Sequence, residues 1–262
     1  SGLLGTVKQV VGGVEEEVVR TTPEAIDLQR TFRRMLDAGD RACVMEVSSH
    51  ALVLGRADAI AFDVAVFTNL TQDHLDFHAD MEDYFQAKRL LFLPPTDGSI
   101  QRPAAAVVNA DDGAGIRLLE EIGRQAPETP TVSFSAAGGR ADLSAHGIHF
   151  DASGSRFELR EGGGEERSVR LPLPGHFNVE NALAALGCAR ALGLDMGAAV
   201  AALGAAEPVP GRMEPVDEGQ PFGVIVDYAH TPDSLENVLR AARLLTAGRL
   251  ICVYGCGGDR DA

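Results

Sequence analysis

Acidic, hydroxyl and imidazole side chains follow an apolar segment that has the composition of a buried strand. Glu46 lies near the end of the segment ACVMEV (42–47), and two serines and a histidine come directly after it. In an open parallel sheet, ligands bind at the carboxyl ends of the strands, which favours a site here. The alternative is that Ser48 or Ser49 only caps a turn by hydrogen-bonding the backbone.

A second polar cluster follows the apolar segment FDVAVFTNL (62–70). Asp73, His74, Asp76 and His78 stand close together, and Lys88 lies on the helix predicted to follow. Such a density of nitrogen and oxygen ligands is compatible with Mg²⁺ or with a phosphate network. Taken singly, each histidine is more simply explained as structural, and a lysine on a helix is ordinarily a solvated surface charge.

Two more clusters lie in the second half of the chain. In GHFNVENALA (175–184), Asn178 and Asn181 flank a predicted helix start, where amide groups can bracket a ring or an anion. Asn178 could equally be only an N-cap. Farther on, Arg212 offers the planar fork that phosphate recognition requires, and Asp227 ends another apolar segment.

The elements that must position these clusters follow from hydrophobic patterning. Short Val-rich runs predict strands buried on both faces of a parallel sheet at 42–47, 62–70 and 104–111. Thr22-Pro23-Glu24 predicts a helix start with a hydroxyl cap, and the helix continues to Gly39. Three more helices are predicted, near 112–124, at 179–192 and at 197–206.

The rest of the chain predicts an antiparallel part and a second domain. Short alternating runs separated by Gly-rich turns indicate an antiparallel β patch over residues 131–173. The Pro-rich stretch that begins at Pro208 divides a domain at 1–207 from one at 208–262. The second begins with GVIVDYA as a strand, a helix from Thr231-Pro232 to about Ala247, and RLICVYG as a strand, as in a Rossmann-like domain. The predicted fold class is α/β with a mostly parallel sheet.

Composition limits the possible partners. The chain has 262 residues, 45% of them hydrophobic and 23% charged, as in an ordinary globular protein. The net charge of −15 argues against a nucleic-acid partner, because phosphate contacts need clustered Lys and Arg. The four cysteines form no CxxC pair. The sequence shows no signal peptide and no apolar run of about 18 residues, so we predict a cytoplasmic protein with no membrane partner.

Taken in order along the chain, these clusters resemble the Mur ligase family. The most specific segments are GHFNVENALA (175–184) and GRMEPVDEGQPFGVIVDYAHTPDS (211–234). The resemblance covers essentially all 262 residues and implies an ATPase-type central domain followed by the start of a C-terminal domain. It also implies a chain that is incomplete at both ends, since the family carries its P-loop upstream of the segment that matches Ser1.

The resemblance assigns roles in the first half of the chain. Glu46 and His74 match residues that hold Mg²⁺, a task that suits carboxylate oxygen. Lys88 matches a lysine that is carboxylated in relatives, which would turn a cation into an anion able to bind or orient a metal. Leu54 stands where relatives often have Gln, so one of their hydrogen bonds to substrate is not expected. Positions that contact the UDP-sugar-peptide in relatives are matched by Thr21, Thr22, Ser48 and Arg56.

In the second half, the resemblance assigns nucleotide contacts. Asn178 and Asn181 match residues that lie beside the adenine. Arg212 matches an arginine that reaches the ATP phosphates as the domains close, and Asp227 matches an aspartate near the ribose or the phosphates. The segment GCGGDRD (255–261) lacks the GxxxxGK[ST] pattern, so we reject it as the P-loop and expect it to shape the pocket for the incoming residue. The expected catalytic residues are Lys88, His74 and Arg212.

The activity that the resemblance implies is ATP-dependent amide ligation in peptidoglycan precursor synthesis. A diamino acid, with meso-diaminopimelate as first choice, is added to UDP-MurNAc-L-Ala-D-Glu through an acyl phosphate. The expected cofactors are ATP and Mg²⁺, with N6-carboxylation of Lys88, and a monomer is expected. The alternatives are L-lysine as the incoming residue, a folylpolyglutamate-synthetase relative, or a non-catalytic nucleotide-binding fragment. We expect no turnover from these 262 residues alone.

Overall fold

The structure, a computed structural model, describes residues 1–95, 100–151, 153–162 and 164–255. The chain divides into two compact units, Ser1–Phe62 with His74–Pro103, and Asp63–Asp73 with Ala104–Ala262. The domain boundary predicted between residues 207 and 208 falls inside the second unit and stays a prediction. Over the described ranges, no helix is long and apolar enough to cross a membrane.

The first unit is built on a four-stranded sheet with the strand order β3-β2-β1-β4. Its elements in chain order are β1 (Gly2–Leu4), β2 (Gln9–Val11), β3 (Val14–Glu16), α1 (Ala25–Asp37), β4 (Cys43–Met45), α2 (Ser49–Val53) and α3 (Met81–Arg89). β1 runs antiparallel to β2 and parallel to β4. Leu4, Val11, Leu28 and Met35 form a buried cluster where α1 covers the sheet.

Two predictions for this unit are corrected by the structure. The segment 42–47 forms β4, but this strand is not buried on both faces, because Val44 is 66% exposed. β4 pairs with β1, whereas the strand predicted at 62–70 belongs to a different sheet. The helix predicted after Thr22 begins at Ala25, and no side chain caps it. Thr22 instead forms longer-range hydrogen bonds, with the backbone of Glu46 and Ser48.

The second unit is built on a six-stranded sheet with the order β10-β9-β8-β7-β6-β5. Its elements in chain order are β5 (Val64–Phe67), β6 (Ala105–Asn109), α4 (Gly113–Gln125), β7 (Thr131–Ser135), β8 (Leu143–Asp151), β9 (Gly154–Glu161), β10 (Glu166–Leu171), α5 (His176–Ala191), α6 (Met196–Gly204), β11 (Glu214–Val216), β12 (Val224–Val226) and α7 (Pro232–Leu245). β5 to β8 pair in parallel, and β9 and β10 extend the sheet antiparallel. The α/β class is confirmed, although β7, assigned to the antiparallel patch, is parallel to both neighbours.

Helix α5 packs closely against the six-stranded sheet of the second unit. All five residues of β6 are buried. A Cβ added at Gly187 on α5 would lie 2.6 Å from Cγ1 of Val107, so glycine is what allows this approach. The start of α5 differs from the prediction. The helix begins at His176, after Gly175 with a φ of 107°, and Asn178 lies inside the first turn rather than at the cap.

The last part of the second unit is a two-stranded antiparallel sheet, β11 with β12, followed by α7. The predicted start of α7 is confirmed, because Thr231 caps the helix and exchanges hydrogen bonds with Ser234. The strand predicted over RLICVYG is wrong: residues 249–255 pair with no neighbouring strand in the described part of the chain. Apart from Gly255, the segment GCGGDRD lies outside the described residues.

Candidate functional site

A hydrogen-bond network centred on Glu46 joins three separate segments of the first unit. The carboxylate accepts a hydrogen bond from the backbone N–H of Thr6 at 3.2 Å and another from the Thr6 hydroxyl at 2.5 Å. The Thr6 hydroxyl lies 3.1 Å from that of Thr21. Next to it, the hydroxyl of Thr22 donates to the carbonyl of Glu46 at 2.9 Å and accepts from the N–H of Ser48 at 3.1 Å.

Ser48 and Arg56 extend this network along α2. Ser48 is the N-cap of α2, and its hydroxyl accepts from the N–H of Ala51. Arg56 forms an ion pair with Glu24 at 2.9 Å, donates to it through Nε and donates to the carbonyl of Thr22. The structure therefore brings together Glu46 and the four predicted substrate-binding residues. The cap role that the sequence allows for Ser48 is confirmed, and it does not exclude a ligand contact.

Histidine and aromatic rings form a second cluster in the same unit. The ring of His50 lies 3.9 Å from that of Phe77 and 5.0 Å from that of His74, measured between centroids. Burial is the main cause that lowers the pKa of His50, and the neighbouring imidazoles of His74 and His78 lower it further. His74 has a φ of 58°, which is uncommon for a residue with a side chain.

Lys88 lies beside this cluster on α3. Its Nζ lies 5.0 Å from the centroid of the Tyr84 ring, within the range of a cation–π interaction. The predicted N6-carboxylation stays a prediction.

The residues predicted to hold Mg²⁺ are Glu46, His74 and Lys88. Among the residues that the structure describes, no group of three or more His, Cys, Asp or Glu side chains is arranged to hold a metal ion. Mg²⁺ usually keeps several waters and binds through one or two protein carboxylates together with substrate phosphates. Glu46 is exposed, and its carboxylate has lone pairs beyond those that Thr6 uses. Its donor chemistry therefore fits a partial Mg²⁺ ligand set.

The predicted adenine-binding residues lie on the first turns of α5. The side-chain amide of Asn178 donates to the carbonyl of Pro174 at 2.9 Å, and that of Asn181 reaches the Asn178 oxygen at 3.4 Å. Asn178 is buried, whereas Asn181 is exposed. The carboxylate of Glu180 lies 3.5 Å from Nδ1 of His176 and is the main cause that raises the pKa of this imidazole.

Arg212 and Asp227 come together around the two-stranded sheet. The carboxylate of Asp227 accepts from the N–H groups of Met213 and Ala229, both at 2.8 Å. The guanidinium carbon of Arg212 lies 5.4 Å from the centroid of the Tyr228 ring. Asp227 thus holds the turn that carries Arg212, and the exposed cation stacks on an aromatic face.

Sequence reasoning assigned no site role to Thr6, Glu24 or His50, which contact predicted site residues directly. Thr6 stands in the short segment GTVK, and nothing in that segment indicates a distant carboxylate partner. His50 is the histidine of the polar cluster after β4, and that position is the signal that could have assigned it a role. An open cleft between the end of α4 and the start of β7, lined by residues such as Ile122 and Pro130, contains none of the predicted site residues.

Comparison with known families identifies the class of protein. Residues 1–189 match the Mur ligase middle domain, and residues 211–262 match the domain described as Mur ligase, glutamate ligase domain. These matches cover most of the chain, which belongs to the Mur ligase family.

Individual relatives match over the whole chain. The UDP-N-acetylmuramoyl-L-alanyl-D-glutamate–2,6-diaminopimelate ligase of Streptomyces coelicolor is 49% identical over 262 residues, covering 100% of this chain and 50% of that protein. The ligase of the same name from Geobacillus kaustophilus is 46% identical, covering 100% of this chain and 52% of that protein. The chain spans about half the length of the curated relatives it matches.

Solved structures agree with this assignment. A ligase of that name is 32% identical with a TM-score of 0.77, covering 99% of this chain and 51% of its own. The UDP-N-acetylmuramate-alanine ligase of Thermotoga maritima has a TM-score of 0.60 and covers 78% of this chain and 43% of its own. Its identity of 22% shows the fold alone.

Proposed function

We propose that this chain is part of an ATP-dependent ligase that joins diaminopimelate to UDP-MurNAc-L-Ala-D-Glu in peptidoglycan precursor synthesis. The observation that carries the proposal is that relatives named for this reaction align over the whole length of the chain, at 46% and 49% identity. Their names specify 2,6-diaminopimelate, which favours it over L-lysine. Structures of folylpolyglutamate synthetase, at 19% and 20% identity, support only a shared fold.

The proposed reaction has two transfers. A carboxylate oxygen of the D-Glu side chain attacks the γ-phosphorus of ATP, the bond to the bridging oxygen breaks, and ADP leaves. The amine of diaminopimelate then attacks the carbonyl carbon of the acyl phosphate, phosphate leaves, and the amine loses a proton. Phosphoryl transfer of this kind depends mostly on positioning and charge neutralisation.

The Glu46 network suits the role of a substrate-binding surface. Thr22 fixes the chain at both Glu46 and Ser48, so the hydroxyl and carboxylate groups in this region are held before a ligand arrives. Arg56 has five N–H donors, and three of its nitrogens already contact Glu24 or Thr22. The remaining donors can meet an anionic group of the substrate. In this proposal Thr21, Thr22, Ser48 and Arg56 bind the UDP-sugar-peptide.

Glu46 and His74 are the proposed Mg²⁺ ligands, and Lys88, in its carboxylated form, would support them. When bound, Mg²⁺ would neutralise phosphate charge. The chain itself contributes the oriented carboxylate of Glu46, held by Thr6, and the imidazole of His74 beside Tyr84. His74, Lys88 and Arg212 are the proposed catalytic residues.

The second unit is proposed to supply the nucleotide contacts. Asn178 and Asn181 present amide groups at the start of α5, where the helix dipole favours negative charge. Arg212 would reach the phosphates and Asp227 the ribose or phosphates. We further propose that the linker at 208–212 separates a central domain from a C-terminal domain, within a cytoplasmic, monomeric enzyme.

The experiment that tests the function measures phosphate release by the full-length natural protein that contains this chain. We expect release, and a tripeptide product, only when ATP, Mg²⁺, UDP-MurNAc-L-Ala-D-Glu and diaminopimelate are all present. Release that requires L-lysine instead would overturn the proposed specificity. Nucleotide binding without any release would favour a binding module and overturn the ligase.

Lys88→Ala provides a residue-level test in the full-length protein. We expect loss of ligase activity, because both the cation and any carbamate formed on it are removed. Short carboxylic acids added to the assay should partly restore activity if a carboxylated Lys88 is the working form. Lys8→Ala is the matched control, since Lys8 pairs with Glu15 at the surface. A fully active Lys88→Ala protein would remove Lys88 from the site.

A further inference from the structure

Two buried polar side chains, His78 and Ser49, and the exposed carboxylate of Asp83 connect α2 with the start of α3. Nε2 of His78 lies 2.8 Å from the hydroxyl of Ser49, and Nδ1 lies 3.2 Å from a carboxylate oxygen of Asp83. His78 is 2% exposed and Ser49 is 1% exposed. A buried imidazole with both nitrogens in hydrogen bonds occupies one fixed orientation.

The proton arrangement follows from the partners. An ionised carboxylate only accepts, so Nδ1–H of His78 donates to Asp83. In the tautomer that carries its proton on Nδ1, Nε2 accepts the hydroxyl of Ser49. The order of groups is that of a hydrolase triad, but a nucleophile must reach its substrate. The hydroxyl of Ser49 is enclosed by protein, so the arrangement serves to hold structure and not to attack a substrate.

Asp83 also fixes the backbone of the turn. The carboxylate oxygen that faces His78 accepts the N–H of Ala79 at 3.2 Å, and the N–H of Asp83 donates to the side chain of Asp80 at 2.9 Å. The N–H of His78 donates to the carbonyl of His74 at 2.9 Å. His78 therefore links α2, the start of α3 and the backbone of His74.

His78 also takes part in an aromatic stack. Its ring stacks on that of Tyr84, with centroids 5.0 Å apart and an angle of 21° between the planes. Tyr84 is 6% exposed. The rings of Tyr84 and His74 are nearly perpendicular, with centroids 5.8 Å apart, and Nζ of Lys88 lies 5.0 Å from the centroid of Tyr84. Two predicted catalytic side chains thus lie beside the Tyr84 ring, which stacks on His78.

We propose that His78, held by Ser49 and Asp83, is a positioning residue that sets the places of His74 and Lys88 through Tyr84 and the backbone of the turn. The inference rests on the proposed function for its effect on catalysis, but its effect on His74 can be measured without any activity. The unusual backbone of His74 adds support, because a φ of 58° persists only where the surroundings hold it.

The first test uses NMR of the imidazole signals of the 262-residue chain. Ser49→Ala removes one hydrogen bond, and His78→Phe keeps an aromatic ring on Tyr84 but removes both. We expect the ring signals of His74 to shift or broaden in both variants. His149→Ala in β8 is the control and should leave them unchanged. Unchanged His74 signals in folded Ser49→Ala and His78→Phe would overturn the proposal.

The second test uses kinetics of the full-length protein. A displacement of about 1 Å at reacting groups can cost about 100-fold in rate, so we expect His78→Phe to lower kcat about 10- to 100-fold with little change in KM for UDP-MurNAc-L-Ala-D-Glu. Asp83→Asn keeps an accepting oxygen and should retain most of kcat, whereas Asp83→Ala should not. A rise in KM equal to the fall in kcat would contradict a positioning role. If the two variants shift the His74 signals but the wild-type full-length protein catalyses no ligation, the proposed function fails and the positioning of His74 stands.

Discussion

Replacing Thr22 by Val tests whether the Glu46 network is held by one buried hydroxyl. Val keeps the shape of Thr, and Thr22 is 1% exposed, so the change removes two hydrogen bonds without opening a large cavity. The carbonyl of Glu46 and the N–H of Ser48 lose their partner. An unsatisfied buried polar group costs about 1–3 kcal/mol, and both groups are only partly buried, so we expect roughly 2–4 kcal/mol of destabilisation.

Thr22→Ser is the matched control. It keeps the hydroxyl and loses one methyl group, which is expected to cost about 1 kcal/mol. The assay is urea denaturation of the 262-residue chain, combined with amide hydrogen exchange at Ser48. Thr22→Val should lower the free energy of unfolding more than Thr22→Ser does and should speed exchange at Ser48.

Two results would refute this reasoning. If Thr22→Val lowers the free energy of unfolding no more than Thr22→Ser does, the hydrogen bonds of the Thr22 hydroxyl do not stabilise the fold. If Thr22→Val instead speeds exchange at the first amides of α1 and leaves Ser48 protected, Thr22 acts as the helix cap that the sequence suggested.

The remaining predictions concern the second unit. A Cβ at Gly115 would lie 2.0 Å from the carbonyl oxygen of Asn109, so Gly115→Ala should destabilise by at least about 2 kcal/mol in urea denaturation. Gly123→Ala on the same helix meets nothing within 4 Å and should stabilise by roughly 0.5–1 kcal/mol; equal effects would refute this packing. Because Glu180 raises the pKa of His176, their contact stabilises the folded state fully below the ordinary pKa of about 6.5, and this contribution is lost as pH rises through the raised value. NMR titration should show a lower His176 pKa in Glu180→Gln; an unchanged pKa would contradict the assigned cause.

Elements set by local patterning could be predicted from the sequence. The Val-rich segments of β5 and β6 and the apolar spacing of α1 are visible within a few residues of sequence. The start of α7 was also predictable, since Thr231 and Pro232 form a local signal. The exposure of β4 could not be predicted, because it depends on which element covers each face of the strand, and such an element can be remote in sequence.

Hydroxyl and amide partners were the least predictable features. Thr22 and Asn178 both carry side chains that can cap a helix, and a sequence cannot show whether a partner 24 residues away competes for the same group. In the structure Thr22 bonds to Glu46 and Ser48, and Asn178 bonds to Pro174 from inside the first turn of α5. The strand expected at 249–255 failed for a related reason: a strand needs a neighbour, and pairing is not encoded locally.

The hydrogen bonds around Glu46 are compatible with the metal-binding role proposed for it. A carboxylate offers about four lone-pair sites, and Thr6 uses one on each oxygen. A cation could therefore bind without breaking either hydrogen bond. Hydrogen-bond partners of this kind fix the orientation of a metal ligand. Thr6, which no sequence motif singles out, thus orients the carboxylate of Glu46 and leaves lone pairs on it for a cation.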